Sequence, residues 1–178
     1  MTTQTDASAP AASVERWVEA FIEGWRAPAG PDEFADFFEP HLIDDVRMIQ
    51  PQLPTLVGKR AFREGFVRPT FTLIPDLHAT VHDWAATAEP VGAKRSPAAP
   101  EAASPGDALV YINFTLQGTL GGKPISWPCI DRIVLRDGLC AERRAHFDPT
   151  PLLAAAATRP RAWPTFLRVQ VNRLRGAS

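Results

Sequence analysis

Residues 107–147, DALVYINFTLQGTLGGKPISWPCIDRIVLRDGLCAERRAHF, carry the pattern that decides the fold. Apolar and polar residues alternate with a period of two, and the run divides into DALVYINFTLQGTL, KPISWPCIDRIVL and GLCAERRAHF. The last two are joined at Arg136-Asp137-Gly138, a turn signal between strands. DLHATVHDWAA (76–86) is a fourth strand candidate upstream. Before it the period is helical: Val14, Trp17, Val18, Phe21, Ile22 and Trp25 fall on one face, with Ser13 as N-cap and Pro28 as stop. A short helix with Phe34, Phe37 and Phe38 ends at Pro40, and KRAFREGFVR presents Phe62 and Phe66 before Pro69. LIDDVRMIQP is a turn entering a strand. Helices first and an antiparallel sheet afterwards predict an α+β fold with the helices on one sheet face. A sheet curved around them leaves an apolar cavity open at one end.

Within 125–135 the odd positions are Ile125, Trp127, Cys129, Asp131, Ile133 and Leu135, and alternation makes theirs the buried face. Asp131 is the charged residue of that face. A carboxylate in an apolar wall finds a partner or takes up a proton, because desolvation raises its pKa. A poised acid in a cavity suits general acid/base work or donation to a developing oxyanion. The structural alternative is an ion pair, for which Arg143 on the next strand is the candidate. Arg132 is adjacent in sequence and points the other way.

The chain has 178 residues, a length suited to one domain, with 45% hydrophobic and 22% charged residues, which excludes wholesale disorder. A formal charge of -1 supplies no global field for nucleic acid. No apolar run approaches the ~20 residues of a membrane span, and MTTQTDASAPAAS lacks a secretory layout, so a cytoplasmic location is expected. Cys129 is expected opposite roughly residue 145, and Cys140 opposite roughly residue 134. Both are therefore expected to be reduced. His78 and His82, on one strand face, stand about 13 Å apart, too far to share a metal ion, and no metal site is expected. The 18 prolines mark boundaries. Residues 1–12 are expected to be a disordered tail and 89–106 an exposed Ala/Pro-rich loop. After Asp148 there are five arginines and no acid, so 151–178 is expected to be a basic, helical extension. It is suited to packing onto the parent domain, and alternatively to clamping a dimer mate, covering a pocket mouth or resting on an anionic membrane surface.

The order and spacing of VERWVEAFIEGW, LIDDVRMIQP followed by Gly58, GTLGGKPISWPCIDRIVLRDG and the closing HFD resemble the nuclear transport factor 2-like superfamily, in its SnoaL-like and ketosteroid-isomerase-like group. The resemblance covers roughly residues 13–150. It implies a cone-shaped α+β barrel, a mostly antiparallel sheet wrapped around N-terminal helices. It also implies a cofactor-free hydrophobic pocket, a small hydrophobic ligand and a homodimer. On that resemblance Asp131 takes the place of the isomerase's protonated oxyanion-hole aspartate. Trp17 stands at the oxyanion tyrosine and Gln50 at the catalytic base. The last-strand acid of epoxide hydrolase and polyketide cyclases falls at Ala145, with Met48 where the hydrolase has tyrosine. Its middle-strand pair falls within VYINFT, where Tyr111, Asn113 and Thr115 stand. No acid/base set is complete.

The expected site is therefore Asp131 as catalytic acid, with Trp17, Phe21, Met48, Gln50, Phe66, Tyr111, Asn113, Trp127 and Ala145 around the substrate. The polar row with Tyr111 and Asn113 has a second reading, as the solvent face of the sheet or a dimer contact. Two functions stand at this point: an isomerase, cyclase or hydrolase acting on a steroid, terpenoid or polyketide-like ligand, and a non-catalytic binding or accessory protein on the same fold. A short bidentate pair of Asp131 with Arg143, or a cavity filled by side chains, favours the second; an Asp131 facing an enclosed cavity without an arginine partner favours the first.

Overall fold

The computed structural model describes residues 8–51, 53–87, 107–160 and 163–164. The expectations for residues 1–7, for the 89–106 loop and for the arginine-rich helix beyond Pro164 lie outside the described residues.

Helix α1 (Ser8–Arg26) starts earlier than Ser13. Ala9, Ala11 and Ala12 are strong helix formers, and Pro10 falls in the first turn, where a missing N–H costs no bond. Helix α2 (Pro31–Phe38) crosses α1 closely at Gly24, where a Cβ would stand 2.5 Å from the Phe38 ring. A 3-10 turn leads straight into β1 (Leu42–Ile49), without the turn expected there. The short β2 (Leu56–Val57) follows, then a helical run that passes through Pro69 instead of stopping. It comprises α3 (Lys59–Ala61), a π turn (Phe62–Val67) and α4 (Arg68–Leu73). The wide turn, closed by Arg68 N–H donating to Arg63 O, accommodates the proline, which can neither donate nor tolerate a tight preceding turn.

Four long strands complete the sheet: β3 (His78–Thr87), β4 (Ala108–Leu120), β5 (Lys123–Arg136) and β6 (Leu139–His146). The order is β2-β1-β6-β5-β4-β3, and β1 runs parallel to β6, so the sheet is mixed and open rather than a closed barrel. Both β4–β5 and β5–β6 are joined by two residues with positive φ: Gly121-Gly122 and Asp137 (49°)-Gly138 (79°). Positive φ at both central positions matches the right-handed strand twist.

The helices cover the inner face. Phe21 packs edge-on against Phe114 of β4 at 5.5 Å, and Trp25 against Phe34 at 4.6 Å. Ile125, Trp127, Cys129, Asp131, Ile133 and Leu135 are all buried, as alternation requires. A final helix, α5 (Thr150–Thr158), returns across the open end of the inner face. No helix among the described residues is long and apolar enough to cross a membrane.

Candidate functional site

Helix α5 and the inner face of the sheet line a cavity of about 220 Å³ that is partly open to solvent. Its walls are apolar. Trp25 and Phe66 come from the helices, Leu116 from β4, Trp127 and Cys129 from β5, and Leu152, Leu153 and Ala156 from α5. Gln50 and Thr70 add neutral polar groups, and Arg143 of β6 is the charged residue of the lining.

Arg143 reaches the cavity because of one extra residue. The two-residue turn alone sets Leu135 opposite Cys140, and continuing that register would place Arg144 against Asp131. Between Val134–Glu142 and Leu135–Cys140 the register shifts, leaving Ala141 as a bulge. Beyond it Ile133 pairs with Arg143 and Asp131 with Ala145, so Arg143 turns inward and Arg144 outward. The sequence-based pairing of Cys129 with residue 145 was two positions short, since the hairpin loop is shorter than assumed and the bulge lengthens β6. Both cysteines are free and buried.

Arg143 Nε donates to Asp131 Oδ2 at 2.5 Å, and Cys129 Sγ donates to the other carboxyl oxygen at 3.6 Å. The guanidinium carbon lies 5.2 Å from the Phe66 ring centre, a cation–π contact. Asp131 is 0% exposed and Arg143 8%. Burial pushes the Asp131 carboxyl above its ordinary value, against the opposing pull of Arg143. Burial works against the Arg143 charge, but Asp131 together with Cys129 and Cys140 raises the guanidinium above its ordinary value. Desolvation, then the charge of Asp131, raises the Cys129 thiol, which stays protonated at neutral pH. Trp127 Nε1 is buried without a hydrogen-bond partner among the described residues.

Of the residues expected at the site, Gln50, Phe66 and Trp127 line the cavity. Asp131 does not; it lies one layer back, with its two oxygens held by the wall residues Arg143 and Cys129. Trp17 and Phe21 are core, and the Trp17 indole donates to His41 O at 3.2 Å, so it is already engaged. Met48 and Ala145 are buried beside Arg143 and Asp131 in the sheet register but are not among the lining residues. Tyr111 is 42% exposed on the outer face, and Asn113 donates there to Asp83 at 3.0 Å. The two belong to the solvent side, because they alternate with the buried Val110, Ile112 and Phe114. Sequence reasoning placed Arg143 only as a partner and missed its place in the wall. Helix α5 falls at the start of the 151–178 extension expected to be helical, and its Leu152, Leu153 and Ala156 line the cavity.

The profile of the SnoaL-like domain family matches residues 14–143, and the chain belongs to that family. Solved structures with the same fold include a candidate SnoaL-like polyketide cyclase from Jannaschia sp. CCS1. It is 18% identical, covers 88% of this chain and 99% of its own, and has a TM-score of 0.62. A protein with a ketosteroid isomerase-like fold from Catenulispora acidiphila DSM 44928, in complex with trimethylamine, is 16% identical over 83% of this chain and 95% of its own, TM-score 0.57. An LEH-like epoxide hydrolase from M. tuberculosis is 16% identical over 83% of this chain and 92% of its own, TM-score 0.55. At these identities the likeness is one of fold. No curated protein matches the chain significantly in sequence.

Proposed function

We propose that this protein holds a hydrophobic, oxygen-bearing small molecule of steroid, terpenoid or polyketide type in the cavity beneath α5, with the ligand's oxygen on Arg143. The observation that carries this reading is a buried guanidinium in the wall of an otherwise apolar cavity, oriented by Asp131 through its Nε edge. A carboxylate on one edge leaves the terminal amino groups of the fork for a second acceptor. The Trp127 N–H in the same wall, without a partner among the described residues, is a second donor, since a buried polar group without a partner carries a desolvation cost that an acceptor removes. Asp131 then acts as a positioning residue, in place of the catalytic acid expected from the sequence.

The donor set favours binding over proton abstraction. Among the described lining residues the titratable groups are Cys129 and Arg143, and neither accepts a proton at neutral pH. A second reading rests on the same guanidinium. It would stabilise negative charge developing on a bound carbonyl oxygen, which assists isomerisation or ring closure of a substrate that supplies its own base.

A thermal-shift screen with steroids, monoterpene epoxides and aromatic polyketide esters tests the proposal, because saturating ligand stabilises by mass action. Hits are expected to bind Trp127→Phe roughly five- to tenfold more weakly, the range of one neutral hydrogen bond. Hits bound equally by wild type and Trp127→Phe, and equally by the hydrocarbon analogue of each, would refute the polar anchor. Chromatography of each hit after incubation separates turnover from binding alone.

A further inference from the structure

Resting on the ligand-binding reading above, we infer that the cavity is built for a neutral, single-ring ketone, with α5 acting as the gauge that excludes larger ring systems. Size is the first argument. A protein cavity of ~150 Å³ accepts one benzene, so about 220 Å³ buries one ring with a few substituent atoms and would leave most of a four-ring system outside. Helix α5 supplies Leu152, Leu153 and Ala156 to the lining, so its position sets part of that volume.

Helix α5 is held in that place by Arg159, the residue that follows its last turn. Arg159 donates from Nη1 to Leu120 O at 3.0 Å and Lys123 O at 3.1 Å, and from Nη2 to Pro124 O at 3.2 Å. Three carbonyls around the Gly121-Gly122 turn therefore fasten α5 to the β4–β5 hairpin. Without that fastening the helix would be weakly retained, since none of its residues is fully buried.

Charge is the second argument. Asp131 lies 2.5 Å from Arg143, so once ionised it already balances the guanidinium charge in an apolar surrounding. An anionic ligand would add a second negative charge beside Asp131, at high cost where no water screens it. A neutral carbonyl oxygen takes the remaining guanidinium N–H groups without that repulsion.

Calorimetric titration of the full chain with carvone, p-cymene, cuminate (4-isopropylbenzoate), 4-phenylcyclohexanone and androstenedione tests both arguments. Carvone is expected to bind wild type at least roughly tenfold more tightly than p-cymene or cuminate, the ratio of one hydrogen bond to a charged group. Wild type is expected to reject 4-phenylcyclohexanone and androstenedione, while Leu152→Ala accepts 4-phenylcyclohexanone. Leu153→Ala, at a half-exposed position, repeats that test should Leu152→Ala fold poorly. Androstenedione binding wild type as tightly as carvone would overturn the size limit, and cuminate binding more tightly than carvone would overturn the neutral head group. Either result leaves the ligand-binding reading standing. No binding of any probe near ~1 mM would overturn both. Arg159→Ala is expected to weaken discrimination between one and two rings, and unchanged discrimination would remove the gauge role of the fastened helix.

Discussion

Two buried carboxylates sit on neighbouring strands, and their surroundings differ. Asp131 on the inner face has one arginine, at 2.5 Å, in a dry setting. Glu142 on the outer face, 3% exposed, has three: Arg132 at 3.1 Å, Arg47 at 3.6 Å and Arg144 at 3.9 Å. Those arginines are 28–44% exposed and keep contact with water. The outer cluster ties β1, β5 and β6 together, and each of its cations could be re-solvated if the carboxylate were lost. The inner pair has no such recourse, so its role is to fix one guanidinium at one place in the cavity wall. Similar ingredients thus serve cohesion on one face and positioning on the other.

The largest expected break in this comparison is Asp131→Ala. It strands a buried guanidinium and should cost about 3–5 kcal/mol in denaturant unfolding. Replacing both members, Asp131→Leu with Arg143→Met, should recover most of that loss, because an apolar pair of similar volume is often neutral or better. A double variant no more stable than Asp131→Ala would show that the pair contributes through something other than charge compensation.

A second difference concerns pH. The Asp131 carboxyl is raised in the folded protein, so the folded state holds its proton to higher pH than the unfolded chain does. Its stabilising contribution is present below the ordinary carboxylate value and is lost as pH rises through the raised value. Wild type should therefore lose stability relative to Asp131→Asn over that interval, and a constant difference across pH would contradict the raised value. At the smallest end, Glu142→Gln should cost about 1 kcal/mol or less, diminishing with added salt, as partly solvated ion pairs do.

Period-two alternation made the inner face legible, including the enclosed Asp131, because each side chain of a strand has one of two directions. The helix–strand order was legible for the same local reason. The cavity's polar anchor was legible only in part. Arg143 faces inward by virtue of the bulge at Ala141, and nothing local in LCAERRAH announces an extra residue. The expected pairing reached the right arginine through a register error of even parity, which preserves facing. The π turn before Pro69 and the parallel pairing of β1 with β6 are tertiary outcomes that no window of sequence contains. Helix α5 was legible as part of a helical extension, but its cavity-lining residues were not, because four successive alanines give no periodicity to read.

The account rests on Arg143 being the group that meets the ligand, with Asp131 holding it there. Calorimetric titration of carvone into wild type and into the Asp131→Leu/Arg143→Met double variant addresses this directly. A folded double variant that binds carvone at least roughly tenfold more weakly than wild type is the predicted result. Equal affinity in the two proteins would contradict it.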